Sequence, residues 1–159
     1  MSSSNQEIER KFLVIKLPPD LNQFPHDVIL QGYLAVAADG TEVRLRKRSG
    51  KYYQTVKIGT GFMRKEIEIA LMPEQFQKLW PLTTGKRIKK IRYKMAYENH
   101  LIEIDVFQND LKGLLLAEVE FNSLTEMQTF IPPDWFGAEV TTDKHYKNQS
   151  LAIYGIPLK

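Results

Sequence analysis

The sequence predicts an α+β domain, mainly antiparallel β with a few short helices. Seven segments alternate apolar and charged or polar residues with period two, turn signals separate several of them at short spacing, and stretches with helical spacing are few. At 159 residues, 43% hydrophobic and 11% aromatic, the chain is long enough to bury one core and too short for two independent ones. Residues 1–159 therefore read as a single domain. No repeat, low-complexity tract or Gly/Ser linker divides them.

The first strand is Glu7 to Val14, and the segment Leu17 to Gln31 shows no clear pattern. The turn Ala38-Asp39-Gly40 opens a strand from Thr41 to Lys47, and Ser49-Gly50 opens the next, Tyr52 to Ile58. Gly59-Thr60-Gly61 precedes Arg64 to Ala70. A short helix follows, with Pro73 in its first turn and Phe76, Leu79 and Trp80 on one side before Pro81 stops it. Strands Ile88 to Met95 and Leu101 to Phe107 flank the turn Glu98-Asn99-His100, and Leu115 to Phe121 comes next. Ser123 and Glu126 have the spacing of a capping box, and Met127 and Phe130 would face the sheet before Pro132-Pro133. At the C-terminus Asn148 is placed to cap a last helix carrying Leu151, Ala152 and Tyr154, with Gly155 ending it.

A formal charge of +3 names no partner. The absence of cysteine excludes disulfides, thiolate zinc sites and cysteine nucleophiles, so any metal site must use oxygen or histidine. Met1 to Gln6 are polar and no apolar run approaches the ~20 residues of a membrane span, so the expected location is cytoplasmic with no membrane partner.

The strands carry their charges on one face. Glu7, Glu9 and Lys11 point one way on the first; Arg44 with Arg46, Lys57, Glu66 with Glu68, Lys90 with Arg92 and Lys94, Glu103 with Asp105, and Glu118 with Glu120 do so on the others. Opposite them stand Ile8, Phe12, Val43, Leu45, Ile67, Ile69, Ile91, Tyr93, Ile102, Ile104, Val106, Val119 and Phe121. A sheet with one wet face gives such alternation routinely. It does not require acids to pair with acids and bases with bases along most of the strands. Like charges two residues apart lie about 6.6 Å from each other and repel by about 2.5 kcal/mol at an effective dielectric near 20. Divalent cations would relieve the carboxylates and a polyanion the Lys/Arg set, which together describe a metal-phosphate site. Carboxylates without histidine or cysteine suit Mg2+ or Mn2+, and so many basic side chains suit a linear chain of phosphates. Because the bases come in isolated pairs mingled with acids, no nucleic-acid partner is expected.

The run Glu7-Ile8-Glu9-Arg10-Lys11-Phe12-Leu13-Val14 carries an E-x-E-x-K motif. Gln31-Gly32-Tyr33-Leu34, Arg44-x-Arg46, Lys57, Glu66-x-Glu68, Lys90-x-Arg92, Glu103-x-Asp105, Glu118-x-Glu120 and Asp143-Lys144-His145-Tyr146 with Asn148 follow in order. This series resembles the CYTH superfamily, the triphosphate tunnel metalloenzymes, over nearly the whole chain. The resemblance implies a closed eight-stranded β-barrel or tunnel with a charged interior and helices packed outside. It implies Mg2+ or Mn2+ held by Glu7, Glu9, Glu118 and Glu120. Catalytic roles fall to Glu9 and, for a second metal or the attacking water, to Glu103, Asp105 and Glu68. Lys11, Arg44, Arg46, Lys57, Lys90, Arg92 and Lys144 would grip phosphate oxygens, with Tyr33 near one tunnel mouth and the C-terminal helix as a plug. Where family members often carry arginine this chain has His145, read as a partly exposed histidine without a catalytic role.

The implied activity is metal-dependent hydrolysis of inorganic triphosphate to pyrophosphate and phosphate, and the implied partner is that ion or another triphosphate-containing small molecule. The same fold also hosts class IV adenylate cyclases and thiamine or nucleoside triphosphatases, and a non-catalytic polyphosphate-binding module is a further alternative. A homodimer is the remaining partner expectation. No aromatic pair is committed to holding a base or thiamine ring, and Trp80 and Trp135 read as core or cover.

Overall fold

The computed structural model describes residues 8–59 and 65–158. Glu7, Thr60, Gly61 and Arg64 lie outside them. The strands are β1 (Ile8–Val14), β2 (His26–Val36), β3 (Glu42–Arg48), β4 (Lys51–Ile58), β5 (Lys65–Leu71), β6 (Arg87–Tyr97), β7 (His100–Phe107), β8 (Leu115–Phe121) and β9 (Phe136–Glu139). Three short helices accompany them: α1 (Pro73–Leu79), α2 (Leu124–Thr129) and α3 (Asn148–Tyr154).

All neighbours are antiparallel in one nine-stranded sheet of order β5-β4-β3-β2-β6-β7-β8-β1-β9. The mainly antiparallel sheet with a few short helices is the expected fold class; the sheet has nine strands and not eight, β5 and β9 are its edges, and among the described residues no ladder joins them. The ninth strand is short and unpatterned, and it is held beside β1 by backbone bonds such as Val140 N–H to the Lys11 carbonyl, 2.8 Å. Hairpins form where the turn chemistry indicates. Ser49 and Gly50 both have positive φ, 51° and 73°, the conformation a two-residue hairpin needs to match strand twist.

The sheet is nonetheless curled. Lys11 on β1 and Glu42 on β3 are five strand positions apart, about 24 Å on a flat sheet. Lys11 Nζ bonds the Tyr146 carbonyl and Glu42 accepts from Gln149, two residues whose backbones stand at most about 10 Å apart. The charged face is drawn inward around this C-terminal segment.

The opposite, apolar face carries the main core. Phe12, Tyr93, Ile102, Ile104, Ala117, Val119 and Phe121 are buried there against Phe130 and Phe136. The Ser123 Oγ accepts from the Glu126 N–H to start α2, while the Glu126 carboxylate reaches back to Asn122 N–H. Under α1, Phe76 packs on Tyr52 at 4.8 Å and stacks with Trp80 at 5.1 Å.

Helix α3 lies on the charged face and not outside with the other two, the side on which the C-terminal helix was expected as a plug. Its Leu151 is buried with Ile88, Phe107 and Leu116, which the strand registers place on the charged face. Its N-cap is Lys147, and Asn148 is instead the first helical residue, its side chain turned to accept from Lys90 Nζ. Gly155 ends the helix at φ 80°.

Candidate active site

Strand pairing brings the charged residues onto one continuous surface. Glu9 stands opposite Glu120 and Lys11 opposite Glu118; Glu118 faces Glu103, Asp105 faces Arg92, Arg44 faces Thr55, and Thr55 faces Glu68. Lys57 lies between Glu42 and Glu66. Alternation along each strand fixes which side chains share this surface, because a one-residue slip would turn every one of them over.

The middle of the surface is dry. Lys90 is fully buried, Asp105 is buried beside it, and Gln31, Arg44 and Thr55 are buried on the same face. Asp105 receives both Nε and a terminal nitrogen of Arg92 at 2.8 and 2.9 Å, and Lys90 Nζ at 2.8 Å. Burial alone would raise its carboxyl, but Lys90 and Arg92 hold it well below the usual carboxylate range. Burial pulls Lys90 down to about 7 despite Asp105, with Arg92 and Arg46 adding to the fall. Arg46 donates twice to Gln31 Oε1, at 3.0 and 2.8 Å, and is pulled down to about 10 by burial and by Arg44 and Arg92. Burial raises the Tyr33 hydroxyl, and Glu42 raises it further. Beyond burial, Arg44 and Arg92 lower Arg46, and Arg92 and Arg46 lower Lys90, so these cations repel one another across the centre.

Toward the β6–β7 hairpin the surface becomes acidic. Glu118 meets Lys11 at 3.4 Å, and Glu103 meets Arg92 at 3.7 Å. Burial would raise Glu118, yet Lys11, with Arg92 and Lys90, keeps it below its ordinary value. Glu9 and Glu120 form a like-charged cross-strand pair next to the like-charged pair Glu103 and Glu118, an arrangement that is unfavourable by itself. Among the described residues no three His, Asp or Glu side chains are gathered as a preformed metal cluster; Glu7, one of the expected ligands, lies outside them. The adjoining all-oxygen pairs fit a hard divalent cation, which would offset their repulsion.

At the periphery, Glu68 accepts from Thr55 at 2.8 Å, and Lys57 is 4.0 Å from Glu66. Lys144 sits in a 3-10 turn, exposed, and His145 beside it is exposed with its Nδ1 2.9 Å from Asp143. Tyr33 is 1% exposed.

The CYTH domain model matches residues 5–142. An inorganic triphosphatase of Nitrosomonas europaea is 47% identical over 149 residues, 92% of this chain and 97% of that one. The chain belongs to the CYTH domain family. An inorganic triphosphatase of Acetivibrio thermocellus is 37% identical over 150 residues, covering 92% of each chain. A crystal structure of an inorganic triphosphatase superposes with a TM-score of 0.76 at 43% identity, covering 94% of this chain and 95% of that one.

Two features of this CYTH surface escape a reading of charge pairs. Gln31, Tyr33 and Thr55 are polar parts of the buried centre that carry no formal charge to mark them. Glu42 shares the face of Arg44 and Arg46 at spacing two, and that parity was the available signal. It departs from the one-sign pairing of most strands and so falls outside that reading.

Proposed function

We propose that this chain hydrolyses inorganic triphosphate to pyrophosphate and phosphate, with Mg2+ or Mn2+ as cofactor. The observation that supports it most is the basic cluster of buried Arg44 and Lys90 with half-buried Arg46 and Arg92, on a chain 47% identical to an inorganic triphosphatase along almost its full length. Lys11, Arg44, Arg46, Lys57, Lys90 and Arg92 bind the phosphate oxygens. Asp105 orients Lys90 and Arg92 by holding both, and Gln31 orients Arg46. Glu7, Glu9, Glu118 and Glu120 would hold the cation, with Glu103 and Glu68 nearby. The cation, when bound, neutralises charge on the phosphate chain. Burial of the basic cluster excludes water and strengthens each of these contacts. The relatives' names do not favour the cyclase or thiamine triphosphatase alternatives.

The test is phosphate release from tripolyphosphate and from ATP, each with Mg2+, Mn2+ or EDTA. The expected result is rapid metal-dependent release from tripolyphosphate, little from ATP and none in EDTA. Equal release from both compounds, or none from tripolyphosphate, would contradict it.

A further inference from the structure

Two buried polar atoms on the charged face have no partner within the protein: Oε2 of Glu42, which is 7% exposed, and Nε of Arg44, which is 5% exposed. Both side chains stand on the same face of β3, two residues apart, so their backbones are about 6.6 Å from each other. The other Glu42 oxygen is fixed by Gln149 Nε2 of α3 at 3.0 Å.

The two orphans are complementary, since one is a donor and the other an acceptor. A fully ionised phosphate oxygen would satisfy Arg44 and be repelled by Glu42. Water can accept from the one and donate to the other. Position along the sheet agrees. Glu42 lies at the β2–β3 hairpin end, where α3 packs, whereas Glu103, Glu118, Glu9 and Glu120 lie toward the β6–β7 hairpin. In-line displacement at a terminal phosphorus needs its nucleophile beyond the end of the phosphate chain, opposite the leaving oxygen.

We infer that Glu42 and Arg44 hold the water that attacks the terminal phosphoryl group, with Gln149 positioning Glu42. This rests on the triphosphatase reading. The water oxygen bonds to the terminal phosphorus while the bridging P–O bond breaks and its electron pair leaves on pyrophosphate. One water proton passes to Glu42 Oε2 and reaches solvent when the products depart.

Steady-state kinetics on tripolyphosphate with Mg2+ test it in Glu42→Gln beside the wild type. The expected result is a kcat lower by about 100-fold or more, a KM unchanged or lower because a negative charge is gone, and an unchanged Tm. A kcat within about threefold of wild type, or a raised KM with kcat intact, would overturn it. Should Glu42→Gln fail to fold, Gln149→Ala decides: it leaves the carboxylate but frees it, and kcat should fall several-fold at constant KM, whereas unchanged kcat overturns the assignment. An inactive wild type would sink the triphosphatase reading and this assignment with it; an active wild type with an equally active variant sinks the Glu42 assignment alone.

Discussion

Lys90 shows how one residue couples burial, charge and function. An ammonium with no exposed surface is tolerated because Asp105 and Asn148 bond it and the Phe107 ring lies 5.4 Å away. Folding still lowers its affinity for a proton from 10.5 to about 7, so between those values the unfolded chain binds more protons than the folded one. Stability contributed at this site therefore rises with pH across that window, while Asp105 stays ionised throughout. Urea unfolding at pH 6.5 and 9.5 should show wild type gaining stability relative to Lys90→Met as pH rises; parallel changes in the two proteins would contradict the burial argument. The charged side chains were legible because period-two alternation fixes a face without any tertiary information. Gln31, Thr55 and Glu42 were not, because polarity or an opposite sign on a strand carries no mark of burial.

Among the elements, β1 and β3 to β8 could be read from the sequence because each has one charged and one apolar face. β2 could not. Its charged-face positions are Asp27, Ile29, Gln31 and Tyr33 and its other positions Val28, Leu30 and Gly32, so most of it is apolar or uncharged on both sides. Gly32 is buried because the 80–83 turn lies on it: a Cβ there would stand 2.6 Å from the Thr83 Cβ and 2.7 Å from its Oγ1. Thr83 cannot easily yield, since its Oγ1 bonds the Trp80 carbonyl at 2.7 Å and receives Arg87 Nε at 2.8 Å. Gly32→Ala should lower stability by about 1–3 kcal/mol in urea unfolding, and a neutral result would show that the turn can move. For α3 the helix was legible in the residues, while its place came only from the family resemblance: Leu151 finds its pocket because Ile88, Phe107 and Leu116 interrupt the charged face at one end.

At the scale of the molecule, the sheet gathers its charges on the inner surface, where Asp105 offsets Lys90 and Arg92 and Lys11 offsets Glu118, while Glu9 faces Glu120 and Glu103 faces Glu118. Closure could not be read from the strands, since alternation reports faces and not edges, and the fold ends in two edges with an inward curl. A polyanion that binds the folded face alone should stabilise the whole domain by mass action. Tripolyphosphate at 100 times its Kd corresponds to about 2.7 kcal/mol, or a Tm rise of roughly 5–10 °C for a chain of this length. Sulfate at equal ionic strength should give much less, and an equal rise would mean nonspecific ion effects. The most direct test of the central claim, that this face turns over a metal-bound triphosphate, is phosphate release from tripolyphosphate with Mg2+ by Glu120→Gln beside the wild type. Loss of at least about 100-fold in the variant at unchanged Tm is the expected result; turnover equal to wild type would contradict the site.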